Sequence, residues 1–103
     1  MKKLTKEQFE IQLLSQNYLE SKRRLREFDE KLVYYNSDKI KAYRRIVTHI
    51  EDIAMLLPEK QRIIIENEVL LGKTGAWYLE YFSAPSYYRH RENAYKNVLK
   101  SLE

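Results

Sequence analysis

Apolar side chains recur along the first third of the chain at alternating spacings of three and four residues. Ile11, Leu14, Tyr18, Leu25, Phe28, Leu32 and Tyr35 form the series, with Ser21 at its one polar position. That rhythm is the signature of one face of a helix. Thr5 followed by Gln8 matches a capping box, so the helix is expected to begin near residue 6. Asn36-Ser37-Asp38 reads as a turn with Ser37 as the next N-cap. Ile40, Tyr43, Val47, Ile50, Ala54 and Leu57 then mark a second striped helix. A short turn between two such helices predicts an antiparallel helical hairpin.

Pro58 suits the first position of a third helix, where its missing N–H would have no partner. Ile63, Ile64, Ile65, Val69, Leu70 and Leu71 make that helix apolar around much of its circumference, the mark of an element buried on several sides. Gly72 suits its end, where a left-handed residue closes the last turn. A fourth helix is expected over residues 74–82. A fifth follows over 84–102, capped by Ser83 and with Pro85 in its first turn. No segment alternates with period two in the manner of a strand. The expectation is an all-α chain of about five helices. Residues 1–56 form the hairpin, and 57–103 a compact unit in which a short helix and a turn lead into a basic, tyrosine-rich last helix.

Composition agrees with this picture. The chain has 103 residues, with only two Gly and two Pro, too few for a loop-rich β protein. Cysteine is absent, which removes disulfides and thiol chemistry and fits a cytoplasmic location. No apolar run is long enough to span a membrane, and the basic N-terminal stretch lacks the apolar core of a signal peptide. The formal net charge is +4. Residues 83–103 hold four Lys or Arg against two Asp or Glu, so part of the positive excess lies on the last helix. Such a balance is compatible with a nucleic-acid partner without requiring one.

On the last helix Tyr87, His90, Ala94, Val98 and Leu102 fall near one face, which would pack inward. Ser86, Tyr88, Arg89, Asn93 and Lys96 lie toward the other. Arg pairs with guanine edges, Asn with adenine, and Ser or Tyr with phosphates, so this outer set is a candidate DNA-reading surface. Ser83 at the helix start and Lys73 before the short helix complete the candidate site. The bland alternative is an ordinary solvated helix face.

Residues 50–102 resemble the fourth conserved region of bacterial sigma factors, a helix-turn-helix domain, and within it the small phage transcription regulators of the ArpU and RinA type. The likeness is carried by Leu57-Pro58-x-x-Gln61-Arg62 opening a long helix, Gly72 closing it, and an aromatic-rich short helix. Ser83-x-x-Ser86-Tyr87-Tyr88-Arg89-x-Arg91 follows, with Ala94 and Val98 in the place of small and apolar core residues. Tyr81 and Phe82 depart from the glycine-containing turn of the family, and Ala84 and Pro85 stand where polar base-reading residues often sit. The resemblance implies a last helix that enters the major groove of double-stranded DNA near a promoter, and earlier helices that can dock on RNA polymerase. A chain of this length has no room for the promoter-melting part of a sigma factor.

Other readings are weaker. Gly72-Lys73-Thr74 fails as a phosphate loop, because Asn67 stands where the motif's first Gly is required and a helix is expected before it. His49 and His90 have neither a Cys partner nor zinc-protease spacing, and no nucleophile–base pairing has spacing support. No enzyme, metal or cofactor is expected. The basic runs at Lys22–Arg26 and Arg44-Arg45 read first as solvated faces. The competing function is a helical protein-interaction module, in which the stripe over residues 11–35 forms a homodimer or holds a partner helix.

Overall fold

The computed structural model describes residues 4–103. The first three residues, part of the stretch read as lacking a signal peptide, lie outside the described residues. The described chain is all-helical and has no strand. Four α-helices account for most of it: α1 (Lys6–Asp29), α2 (Ser37–Leu56), α3 (Glu59–Ile65) and α4 (Ala84–Ser101). A π-helical turn, Glu66–Leu70, extends α3, and a single 3₁₀ turn, Trp77–Glu80, precedes α4. The expected fourth helix over residues 74–82 is therefore reduced to that one turn.

α1 begins as its capping box requires. Thr5 Oγ1 accepts the Gln8 backbone N–H, and Gln8 Oε1 accepts that of Thr5, both at 3.1 Å. Its end comes earlier than the apolar stripe implies. Lys31 adopts φ 60°, and the Leu32 and Lys31 N–H groups bond back to the Glu27 and Phe28 carbonyls. This pairing is the Schellman closure with a lysine at the left-handed position. The chain reverses there, which leaves Leu32 exposed rather than continuing the stripe. α2 is capped by Asn36, one residue before the expected Ser37: Asn36 Oδ1 accepts the Lys39 N–H at 2.9 Å. Pro58 likewise sits one position earlier than expected, as the N-cap of α3, and its carbonyl accepts the Arg62 N–H at 2.8 Å.

α1 and α2 lie against each other and run antiparallel. The Tyr18 hydroxyl donates to Glu51 at 2.6 Å, while one turn and a half later on α1 Arg24 reaches Tyr35, at the entry to α2. The buried stripe of α1 is Ile11, Ser15, Tyr18 and Ser21, so serines stand at two of its four positions. The small residues bring α1 close to the π-turn, where Ser15 Oγ donates to the Val69 carbonyl at 2.8 Å.

One core draws on all four helices: Ile11 and Tyr18, Val47, Ile50, Ile53 and Ala54, Ile64 and Ile65, and Tyr87, Ala94, Tyr95 and Val98, together with Val69 of the π-turn. The adjacent pair Ile64 and Ile65 is at most 1% exposed. Neighbours in a helix point some 100° apart, so both can be covered only where partners lie on more than one side. Burying each contributes about 1.5–3 kcal/mol. The apolar character of Ile64, Ile65 and Val69 thus reflects their place between the other helices, whereas Leu71, expected to be buried with them, is exposed.

Candidate nucleic-acid interface and adjoining groove

α4 is held by its inner face and opens its outer one. Ser83 Oγ accepts the Ser86 N–H at 3.4 Å, and no acidic residue lies in the first turn, so the positive end of the helix dipole is unopposed there. Tyr87, Ala94, Tyr95 and Val98 are buried, as the spacing required for Tyr87, Ala94 and Val98. Leu102, assigned to the same inner face, is partly exposed at 36%, because α4 ends at Ser101.

The candidate residues divide. Tyr88, Arg89 and Asn93 are exposed on the outward side of α4. Arg89 takes part in no ion pair among the described residues, and no hydrogen bond engages the Asn93 amide there. Lys96 is exposed but already paired with Glu92 at 3.0 Å, a bond that raises the affinity of its amine for the proton. Ser83 is occupied as the cap, and Ser86 is half-buried. Lys73 lies on the loop after the π-turn, where its N–H bonds to the Asn67 carbonyl at 2.9 Å. It lines a groove together with Tyr88, whereas Asn93 and Lys96 are not among the groove's lining residues.

Beside this face lies a cluster that the spacing of the sequence did not single out. Glu68, carried by the π-turn, accepts hydrogen bonds from the hydroxyls of Tyr87 and Tyr95 and from Trp77 Nε1, the last at 3.0 Å. Burial, then the bond to Glu68, pushes the Tyr87 hydroxyl well above the ordinary tyrosine range. Burial, then the charge of Glu68, does the same to Tyr95. All three donors to this carboxylate are neutral groups. Tyr78 stacks on Tyr87, with ring centroids 3.8 Å apart and planes 3° from parallel. Arg91 lies over the rings of Tyr88, Tyr87 and Tyr95 at 4.9, 5.5 and 5.8 Å. The one available signal was the Tyr87-x-x-x-Arg91-x-x-x-Tyr95 spacing, which stacks these residues along one side of a helix.

His90, expected on the inward face, is half-buried. Its Nε2 is sealed from solvent and has no hydrogen-bond partner. Burial, then the charges of Lys60 and Arg89, lowers its proton affinity below the ordinary value of 6.5. Among the described residues no cluster of His, Asp and Glu could hold a metal ion.

No family model, characterised protein or solved structure matches this chain. Among the described residues no helix is long and apolar enough to cross a membrane.

Proposed function

We propose that the protein is a DNA-binding transcription regulator of the sigma region-4-like helix-turn-helix kind, acting in the cytoplasm, with α4 placed in the major groove. The observation that carries this reading is the outward face of α4. There Tyr88, Arg89 and Asn93 stand exposed, on a helix with no acidic residue in its first turn. A guanidinium and an amide one helical turn apart can address neighbouring base edges, while the helix start and Lys73 address phosphates. Lys96 contributes less, since Glu92 offsets its charge. The 3₁₀ turn and the loop around it take the role of the short first helix of the motif, which shifts the weight of recognition onto the middle of α4. RNA polymerase is the proposed protein partner, docking on the earlier helices.

The test is selection of bound duplexes from a random pool at fixed, near-physiological salt, because backbone attraction alone gives salt-dependent binding without sequence preference. An enriched motif is expected, and Arg89→Ala should weaken binding to it by about 1–3 kcal/mol and relax one position of the motif. Absence of any enriched motif would overturn the reading.

The second reading is a homodimer or protein-interaction module. The stripe proposed for it faces inward here, with Ile11, Tyr18 and Ser21 buried within the chain. A dimer would use another surface of α1, where Phe9 and Leu13 are exposed one turn apart. Sedimentation that finds only monomer at micromolar concentration would remove it.

A further inference from the structure

An open groove of about 810 Å³ runs between the first turns of α1, the loop after the π-turn and α4. Its size is within the roughly 300–1,000 Å³ of small-molecule sites. Gln12 and Gln16 line it from α1, Lys73 from the loop, and Tyr88 and Arg91 from α4. Arg91 is the feature that calls for a ligand. It is half-buried, as are Arg24 and Arg62. Those two are paired with Glu20 at 2.8 Å and Glu66 at 3.3 Å. Among the described residues Arg91 has no carboxylate partner. The tyrosine rings lie against the guanidinium and the Tyr87 hydroxyl takes one of its N–H donors, while the others, five in all on a guanidinium, have no carboxylate to bond. Those donors form a planar fork suited to two oxygens of a phosphate. Glu68, also in the groove wall, already accepts three protein donors, so its oxygens are turned to its neighbours.

The other walls suit a flat, polar molecule. Tyr88 is 49% exposed and offers a ring to stack on. Gln12 and Gln16, one turn apart and both exposed, offer amide donors and acceptors of the kind that pair with base edges. We infer that this groove binds a nucleoside phosphate, with the phosphate on the edge of Arg91 assisted by Lys73, and the base against Tyr88 within reach of the glutamine amides. The inference goes beyond the duplex-binding proposal, with which it shares Tyr88 and Lys73, and it is read without any duplex present.

Trp77 is the single tryptophan, and its indole N–H is bonded to Glu68 at the groove wall, so its emission reports on the site. AMP and GMP would be titrated against the intact protein, with inorganic phosphate and adenosine as comparison probes and calorimetry as a second readout. The expected result is saturable binding of AMP or GMP, at least about tenfold tighter than phosphate or adenosine alone. Arg91→Gln should weaken it by about tenfold or more, the loss typical of a hydrogen bond to a charged group. Arg44→Gln, the same charge change on an exposed residue of α2 outside the groove, should leave it unaltered. Lys73→Ala should weaken it less than Arg91→Gln and guards against misfolding of the latter. No saturable response, equal binding of phosphate alone, or equal losses in the Arg91 and Arg44 variants would each overturn the inference. So would binding of only a single-stranded oligonucleotide in place of the mononucleotides. Duplex selection is a separate readout, so either proposal can fail while the other stands.

Discussion

At the scale of single residues, Glu68 decides more than its half-exposed position implies. The hydroxyls of Tyr87 and Tyr95 and the indole of Trp77 converge on one carboxylate. The two tyrosines are only 3% and 9% exposed, so water cannot replace the acceptor freely. Leaving a buried donor unsatisfied costs about 1–3 kcal/mol. Glu68→Ala should therefore destabilise the fold by roughly 3 kcal/mol or more, whereas Glu68→Gln, which keeps one acceptor oxygen, should lose less. Urea unfolding of both variants checks the order. If Glu68→Ala were as stable as the parent, the carboxylate would be a bystander.

His90 makes a different prediction, about pH. The native state holds the imidazole below its ordinary value of 6.5, so the unfolded chain takes up the proton first as pH falls. Stability from this residue is fully present above about pH 6.5 and declines as the pH drops through that value toward the lower folded one. The urea midpoint should fall between about pH 7.5 and pH 5.5, and the fall should be shallower in His90→Gln. A steeper or unchanged slope in that variant would assign the effect to other groups. Lys31 offers the opposite sign. Held at φ 60°, it pays a left-handed penalty of about 1 kcal/mol that glycine avoids, so Lys31→Gly should stabilise by several tenths to about 1 kcal/mol.

At the scale of elements, what was legible in the sequence follows the reach of the chemistry. The starts of α1 and α4 are set by a side chain three residues from the N–H it caps, and Thr5, Gln8 and Ser83 announce them. Gly72 closes the π-turn at φ 66°, as its position suggested. The end of α1 was not legible, because a lysine rather than a glycine or asparagine takes the left-handed position. The inner face of α1 was misjudged in part: Ser15 is buried and Leu14 only partly so, since the π-turn approaches so closely that a small hydroxyl fits best. The π-turn itself has no local signature. Its widened hydrogen bonding, Leu71 N–H to Glu66 O at 3.0 Å, is supported by Asn67 Nδ2 on the Ile63 carbonyl at 2.8 Å and by Ser15 from another helix. That turn carries Glu68 into the groove wall, so the groove has no local signature in the sequence either. Ser15→Ala removes the Ser15 bond and leaves a buried carbonyl with a weaker set of partners. It should cost about 1–2 kcal/mol, read by thermal unfolding, while Ser15→Thr, which keeps the hydroxyl, tests crowding instead.

At the scale of the whole molecule, the question is whether an elongated body of 46 × 26 × 26 Å unfolds in one step. The division expected at residue 57 would separate α1 and α2 from α3 and α4. Packing argues for coupling. Ile11 and Tyr18 of α1 belong to the same core as Ile64, Val69 and Val98, and the buried Ser15–Val69 hydrogen bond crosses the division. An isolated antiparallel pair of helices would expose these side chains, at about 1.5–3 kcal/mol each, which is large against the 5–15 kcal/mol that separates folded from unfolded domains. The hairpin is therefore not expected to remain folded once α3 and α4 have left it. Trp77 reports only on the C-terminal half, whereas far-ultraviolet circular dichroism reports on all four helices. Their urea transitions should coincide, with one midpoint and one slope. If the dichroism retained a second transition after the tryptophan signal had gone, the hairpin would stand alone, and a partner-binding role for it, separable from DNA recognition by α4, would gain its first physical basis.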